Sequence, residues 1–208
     1  MTNTLLLRLL PLAAALLVAL AAPGALYASE TEWQLEEEED GISIYTREVE
    51  GSPYIAVKAV TEINVSAAEL SELMGTGNGC VEWRAMCKSS KVIETVSEHE
   101  LYVYMVLDLP WPISDRDLVL HTTTEIDPDT QSATVHLQSA SAKHPEQDII
   151  RAETQGRYII RIVDPQRSEF TYIMHTELGG DLSPGMVNPR VTDGAREDLE
   201  RLKKLAEK

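Results

Sequence analysis

The feature that most constrains the fold is an amphipathic segment at the C-terminus. Val191, Ala195, Leu199, Leu202 and Leu205 recur at three- and four-residue spacing and form one apolar stripe. Glu197, Asp198, Glu200, Arg201, Lys203 and Lys204 fill the other face, acids before bases, as the helix macrodipole prefers. Asn188 is a good N-cap and Pro189 suits the first helical position, so the pattern predicts a helix that begins there. Such a stripe must lie on an apolar partner. The large partner upstream is a run of β segments.

Those segments carry alternating apolar residues separated by turn residues. They are Ile42–Glu48, Tyr54–Asn64, Lys91–Ser97, Leu101–Asp108, Leu118–Ile126, Ser132–Ala140, Ile149–Val163 and Glu169–Leu178. The first two read as a hairpin across Gly51-Ser52-Pro53, and Gly156 reads as a turn or bulge inside the seventh. The rest reads as an antiparallel meander with short connections. Between hairpin and meander, Ser66 caps a short helix over Ala67–Met74, stopped by a glycine-rich stretch from Gly75 to Gly79. Five consecutive acids, Glu36–Asp40, read as a solvated approach to the first strand. A carboxylate cation site would space its ligands around a turn.

The fold class that follows is α+β. A curved antiparallel sheet wraps a long C-terminal helix in a helix-grip arrangement, and it encloses more volume than one helix fills. An internal hydrophobic cavity is the consequence. Strand alternation points to its lining: Val103, Met105 and Leu107; Leu118, Leu120 and Thr122; Val135 and Leu137; Tyr158, Ile160 and Ile162; Phe170, Tyr172 and Met174. Trp83, Met86 and Met186 close the ends. A one-residue slip in register would invert any of these sets.

Between two of the strands lies Leu-Pro-Trp-Pro-Ile-Ser-Asp-Arg-Asp, residues 109–117. Pro110 and Pro112 remove backbone donors and force a shaped turn at Trp111. Arg116, beside Asp117, can pin that turn through a carboxylate or backbone carbonyls. This stretch resembles the signature turn of the START family, the lipid-transfer domains related to steroidogenic acute regulatory protein. Other resemblances follow in the expected order: Asp40–Arg47 is similar to the family's opening strand, Glu82-Trp83 with Lys91-Val92-Ile93 to a later segment, Ile150-Arg151 to a strand, and Gly179-Gly180 with Val187-Asn188 to the approach to its last helix. Together they cover Trp33 to Lys208. The resemblance implies a tunnel between sheet and C-terminal helix that holds one lipid or sterol-like molecule, with the helix and neighbouring loops as its lid. Sterol-carrying members place an acid and an arginine on the strands flanking the turn. The matching positions here are near Val103 and Thr122, which cannot ionise, so a more purely apolar fit is implied. The family's tryptophan between proline and the Val-Asn pair is also missing from Leu182–Met186.

The formal charge is −16, from 34 acids against 18 bases. This excludes nucleic acid, whose phosphates demand a basic surface, and disfavours electrostatic docking on anionic lipid. The two cysteines and five histidines show no zinc-ligand spacing, and no glycine-rich nucleotide cradle occurs. No cofactor and no metal are expected. Met1–Ala28 reads as a signal peptide, leaving residues 29–208 as one lipid-binding domain. Arg8 precedes an apolar run from Leu9 to Ala22, and Leu26 and Ala28 fit a cleavage site. The run makes about 21 Å of helix, short of a bilayer core of about 30 Å. A retained anchor beginning at Leu5 is the alternative. Export to a periplasm follows, and there Cys80 and Cys87 either bridge or stay free, since sequence does not give their separation.

Three functions are compatible with these residues. The first is a lipid-binding or lipid-transfer module, a monomer whose partners are a hydrophobic molecule and, transiently, a membrane. The second is an enzyme of the cyclase or hydrolase type found among related helix-grip folds. His121, His136 and His175 are its possible bases, although alternation points all three outward. Glu82 and Arg84 beside Trp83 are its next polar residues, or an ion pair near the pocket mouth. The third is an envelope protein that meets partners through its acidic exterior.

Overall fold

The computed structural model describes residues 32–74 and 79–208. The leader expected over Met1–Ala28 and most of the glycine-rich helix stop lie outside the described residues. Strands β1 (Gln34–Glu39), β2 (Ile42–Arg47) and β3 (Ala56–Ile63) lead into helices α1 (Ala67–Met74) and α2 (Cys80–Trp83). Then come β4 (Cys87–Ser97), β5 (Glu100–Leu107), β6 (Arg116–Asp127), β7 (Ser132–Ser139), β8 (Ile150–Arg151), β9 (Glu153–Asp164), β10 (Arg167–Glu177) and α3 (Pro184–Ala206).

Among the described residues, ten strands form one sheet in the order β1-β2-β3-β10-β9-β7-β6-β5-β4. All pairs are antiparallel except β8, which adds to β6 in parallel. The first three strands join the last, β10, through β3. This pairing brings chain segments more than 100 residues apart side by side and curves the sheet around α3. α3 packs on β2 and β3 and touches α1 and α2. Its stripe is buried as the spacing predicts: Leu199 and Leu202 are fully enclosed with Phe170, Ile42, Ile44 and Leu70. α1 starts with a capping box, in which Ser66 Oγ accepts from the Glu69 amide and the Glu69 carboxylate accepts from the Ser66 amide.

Several expectations are corrected. The acidic run is a strand, β1, because its backbone pairs with β2 while every side chain stays exposed. The seventh segment breaks at Ala152, whose amide donates to the Asp117 carbonyl, and not at Gly156. Gly156 is extended within β9, opposite Met174. A Cβ there would lie 2.2 Å from the Ile173 carbonyl oxygen, so tertiary crowding, not turn propensity, explains the glycine. α3 begins earlier than expected, with Ser183 before Pro184 at its start. Asn188 lies inside it, where its side-chain oxygen accepts from the Ile55 amide and ties the helix to the start of β3. Asp198 leaves the polar face assigned to it and is buried. Ile162 is 43 % exposed and lies outside the space under α3.

Candidate functional site

Between α3 and the sheet lies a cavity of about 90 Å³. α3 contributes Val187, Arg190, Val191, Gly194, Ala195 and Asp198, which follow its inner face. The sheet contributes Val57, Leu107, Tyr172, Met174 and Thr176, and the link between α2 and β4 contributes Arg84 and Met86. Leu109, Pro110 and Ile113 of the β5–β6 loop, with Leu178, complete the wall. Gly194 is a close approach: a Cβ there would meet Met86 Cε at 2.7 Å.

One end of this wall is polar. Arg84 lies under α3 with its Nε–H donated to Asp198 Oδ2 at 3.3 Å. Its Nη1 donates to Tyr158 Oη at 3.3 Å and its Nη2 to Tyr172 Oη at 3.2 Å. The Ala85 amide donates to the other Asp198 oxygen at 2.6 Å. Tyr158 and Tyr172 face each other across β9 and β10, and Trp83 packs edge-on to Tyr158 at 5.5 Å. Burial pushes both phenols up, so both stay protonated hydrogen-bond donors. Burial also pushes the Asp198 carboxyl up, against the opposing pull of Arg84 and the Ala85 amide. For Arg84, burial works downward, but Tyr158, Tyr172 and Asp198 outweigh it and the guanidinium stays charged.

The polar end is held by a short covalent loop. Cys80 and Cys87 form a disulfide, with Cα atoms 6.0 Å apart, and the loop between them carries Trp83, Arg84 and Met86. Closing a loop of this size removes unfolded-state entropy worth about 2–3 kcal/mol. Replacing both cysteines by serine is therefore expected to lower stability by about that amount, read from urea midpoints. The same midpoint for both proteins would show that packing alone fixes the loop.

The residues singled out from the sequence distribute as follows. Met86, Leu107, Tyr172 and Met174 line the cavity. Trp83, Val103, Met105, Leu118, Leu120, Tyr158 and Ile160 are buried in the surrounding core, and Thr122 and Met186 are half-buried outside the wall. Val103 and Thr122 are apolar or neutral, yet the cavity is not purely apolar: its charge comes from Arg84, Asp198 and Arg190 instead. Glu82 is exposed, so the partner of Arg84 is Asp198 and not its neighbour. No histidine lines the cavity. His121 pairs with Glu100 at 2.8 Å, His136 with Glu125 at 3.4 Å and His175 with Glu177 at 3.1 Å.

The signature turn is built from buried charge. Arg116 is 2 % exposed and donates to the backbone carbonyls of Leu178 at 2.5 Å and Ser114 at 2.6 Å. Asp117 is fully buried and takes a two-pronged bond from Arg151 at 2.7 and 2.9 Å. Arg116 thus uses carbonyls, while its neighbouring acid serves β8. Trp111, at the tip of the loop and joined to Pro112 by a cis peptide, is 90 % exposed.

A curved antiparallel sheet closed over a cavity by one C-terminal helix defines a helix-grip protein. The chain belongs to the START domain family, whose model matches residues 24–208. It is 31% identical over 181 residues to an uncharacterised protein of Pseudomonas aeruginosa, covering 85% of this chain and 88% of that one. It is 27% identical over 113 residues to the ceramide transfer protein of Pongo abelii, a match to 49% of this chain and 18% of that longer protein. Among solved structures it is similar to a STAR-related lipid transfer protein fragment from Xanthomonas axonopodis, with a TM-score of 0.77, 25% identity and coverage of 85% and 99% of the two chains. Human StAR-related lipid transfer protein 5 shares the fold at a TM-score of 0.77 and 15% identity, over 84% of this chain and 86% of that one.

Proposed function

We propose that this protein takes up one lipid or other hydrophobic molecule between its sheet and α3 and exchanges it with a membrane, without chemistry. The observation that carries this reading is the largely apolar cavity closed by an amphipathic helix. The relatives support it, since the similar Xanthomonas protein is a STAR-related lipid transfer protein. In the closed form the cavity is smaller than the engineered cavity of about 150 Å³ that holds benzene. Uptake of a lipid tail therefore requires α3 and the β5–β6 loop to part. The ties at the helix start are few: the Asn188–Ile55 bond and the Tyr54 hydroxyl donating to the Leu182 carbonyl. Native mass spectrometry of the protein from its host, followed by organic extraction, tests the reading. A stoichiometric hydrophobic molecule is expected. A clean unliganded mass that does not shift with host lipids would overturn it.

Trp111 supplies the contact with the membrane in this reading. An indole 90 % exposed on a proline-stiffened loop that also walls the cavity is suited to the headgroup region. Trp111→Ser is expected to weaken binding to neutral vesicles about tenfold with folding unchanged, as measured by co-sedimentation. Equal sedimentation of the two proteins would place the contact elsewhere. The work site proposed is the periplasm, after cleavage behind Ala28. Amino-terminal sequencing of the exported protein should begin at Ser29, and retention of Met1 in a membrane fraction would favour the anchor.

A further inference from the structure

The polar end of the cavity has hydrogen-bond donors left over. A guanidinium carries two N–H groups on each Nη, and Arg84 spends one from each on a tyrosine. Each tyrosine oxygen accepts from Arg84, and among the described residues neither hydroxyl proton has an acceptor. Of these groups Arg84 and Tyr172 line the cavity, while Tyr158 and Trp83, whose Nε1–H is buried with no partner, lie in the core behind them. Buried donors are normally satisfied, so a cluster of spare ones marks a place for an acceptor that the protein does not supply. The acceptors of the cluster, by contrast, are engaged: both Asp198 oxygens already take a hydrogen bond.

The charge of the cluster is balanced. Arg84 and Asp198 are opposite charges on side chains only 14 % and 5 % exposed, and the two tyrosines are neutral. An anion brought here would be a buried charge without a counter-charge, which is strongly unfavourable, whereas a neutral oxygen would satisfy the spare donors at no cost in charge. The remaining charged residue of the wall, Arg190, stands eight residues nearer the helix start, about 12 Å away along the axis. It is half-buried and donates to the Met186 carbonyl, so solvent screens it and it does not alter the balance at the inner end.

We propose that Arg84 and Tyr172, which line the cavity and are held by Asp198 and Tyr158, recognise the polar end of the bound molecule, and that they select an uncharged oxygen acceptor, a hydroxyl or carbonyl, over a phosphate or carboxylate. The inference rests on the lipid-binding reading and adds the class of lipid. The position is distinct from the strands beside the signature turn, where Val103 and Thr122 offer no charge. The cluster is assembled from four separated segments: the disulfide loop, β9, β10 and α3.

The test uses two probes that differ by one phosphate. Phosphatidylcholine vesicles carry labelled diacylglycerol or labelled phosphatidic acid with the same acyl chains, and label bound to protein is counted after the vesicles are removed. The wild-type protein is expected to take up diacylglycerol at least about tenfold better. The paired substitution Arg84→Met with Asp198→Leu replaces the ion pair by apolar side chains of similar size and should fold. It is expected to take up both lipids, with the preference reduced to about twofold or less. Tyr172→Phe keeps the ring, removes the hydroxyl donor that lines the cavity and should reduce the preference in the same direction. Equal or better uptake of phosphatidic acid by the wild type, or a preference unchanged in both variants, would overturn the inference while leaving lipid binding intact. Uptake of neither lipid by the wild type would overturn the lipid-binding reading beneath it.

Discussion

Arg84→Met alone should destabilise the protein by about 3–5 kcal/mol at about pH 8, and by much less at about pH 5. The single change leaves Asp198, with a side chain 5 % exposed, as a buried carboxylate whose cation is gone. Burial already pushes this carboxyl up, and Arg84 is the largest influence opposing it, so its loss raises the carboxyl further. A carboxyl raised above its unfolded value of about 3.9 contributes stability below that value and loses it as pH rises through the folded value. The gap between wild type and variant therefore opens with rising pH. Urea midpoints at the two pH values check it. The paired variant with Asp198→Leu should recover most of the loss at about pH 8, because no buried charge remains. A gap independent of pH would mean that Asp198 is not ionised beside Arg84 and that the cost is lost packing.

Filling the cavity from the helix should abolish ligand uptake without unfolding the protein. Gly194 sits inside α3, where glycine costs about 1 kcal/mol relative to alanine. Its presence is explained by Met86, whose Cε would lie 2.7 Å from a new Cβ. That atom is the free end of a flexible side chain, so it can yield, and it yields into the cavity. In Gly194→Leu the four added carbons occupy on the order of 100 Å³, comparable to the whole space. Overpacking of about 1–3 kcal/mol is partly offset by the gain in helix propensity. Uptake of a labelled lipid should fall by more than about tenfold, with a melting temperature within a few degrees of wild type. Undiminished uptake at that stability would place the ligand outside this cavity.

Periodic features were legible in the sequence. The stripe of α3 and the alternation of β2 and β10 are local patterns that burial preserves, so the grip of sheet on helix was legible in the sequence. The polar end was only half legible. Arg84 drew attention beside Trp83, but its partner lies 114 residues away, a distance over which no spacing carries information. Asp198 was assigned to the wet face by residue type, although it stands three residues after Ala195 and four before Leu202, squarely on the stripe. Gly156 and the acidic run failed for the opposite reason. Local propensity argued for a turn and for coil, and pairing with β10 and β2 decided otherwise. The start of α3 was misplaced because Asn188 has the chemistry of a cap but serves the Ile55 amide instead.

The acidic strand β1 bears on how copies of this protein meet one another. It is an outer margin of the sheet, and among the described residues no strand pairs with its far side. Such a margin is a template on which a second molecule can add and begin a fibre. Glu36 and Glu37 are tied to Thr46 and Arg196, but Glu38 and Glu39 stand free in water on the same margin. Two such rows brought together would place like charges face to face. The same carboxylates that make the chain acidic thus act as a colloidal barrier at one of the two terminal strands on which it would otherwise polymerise.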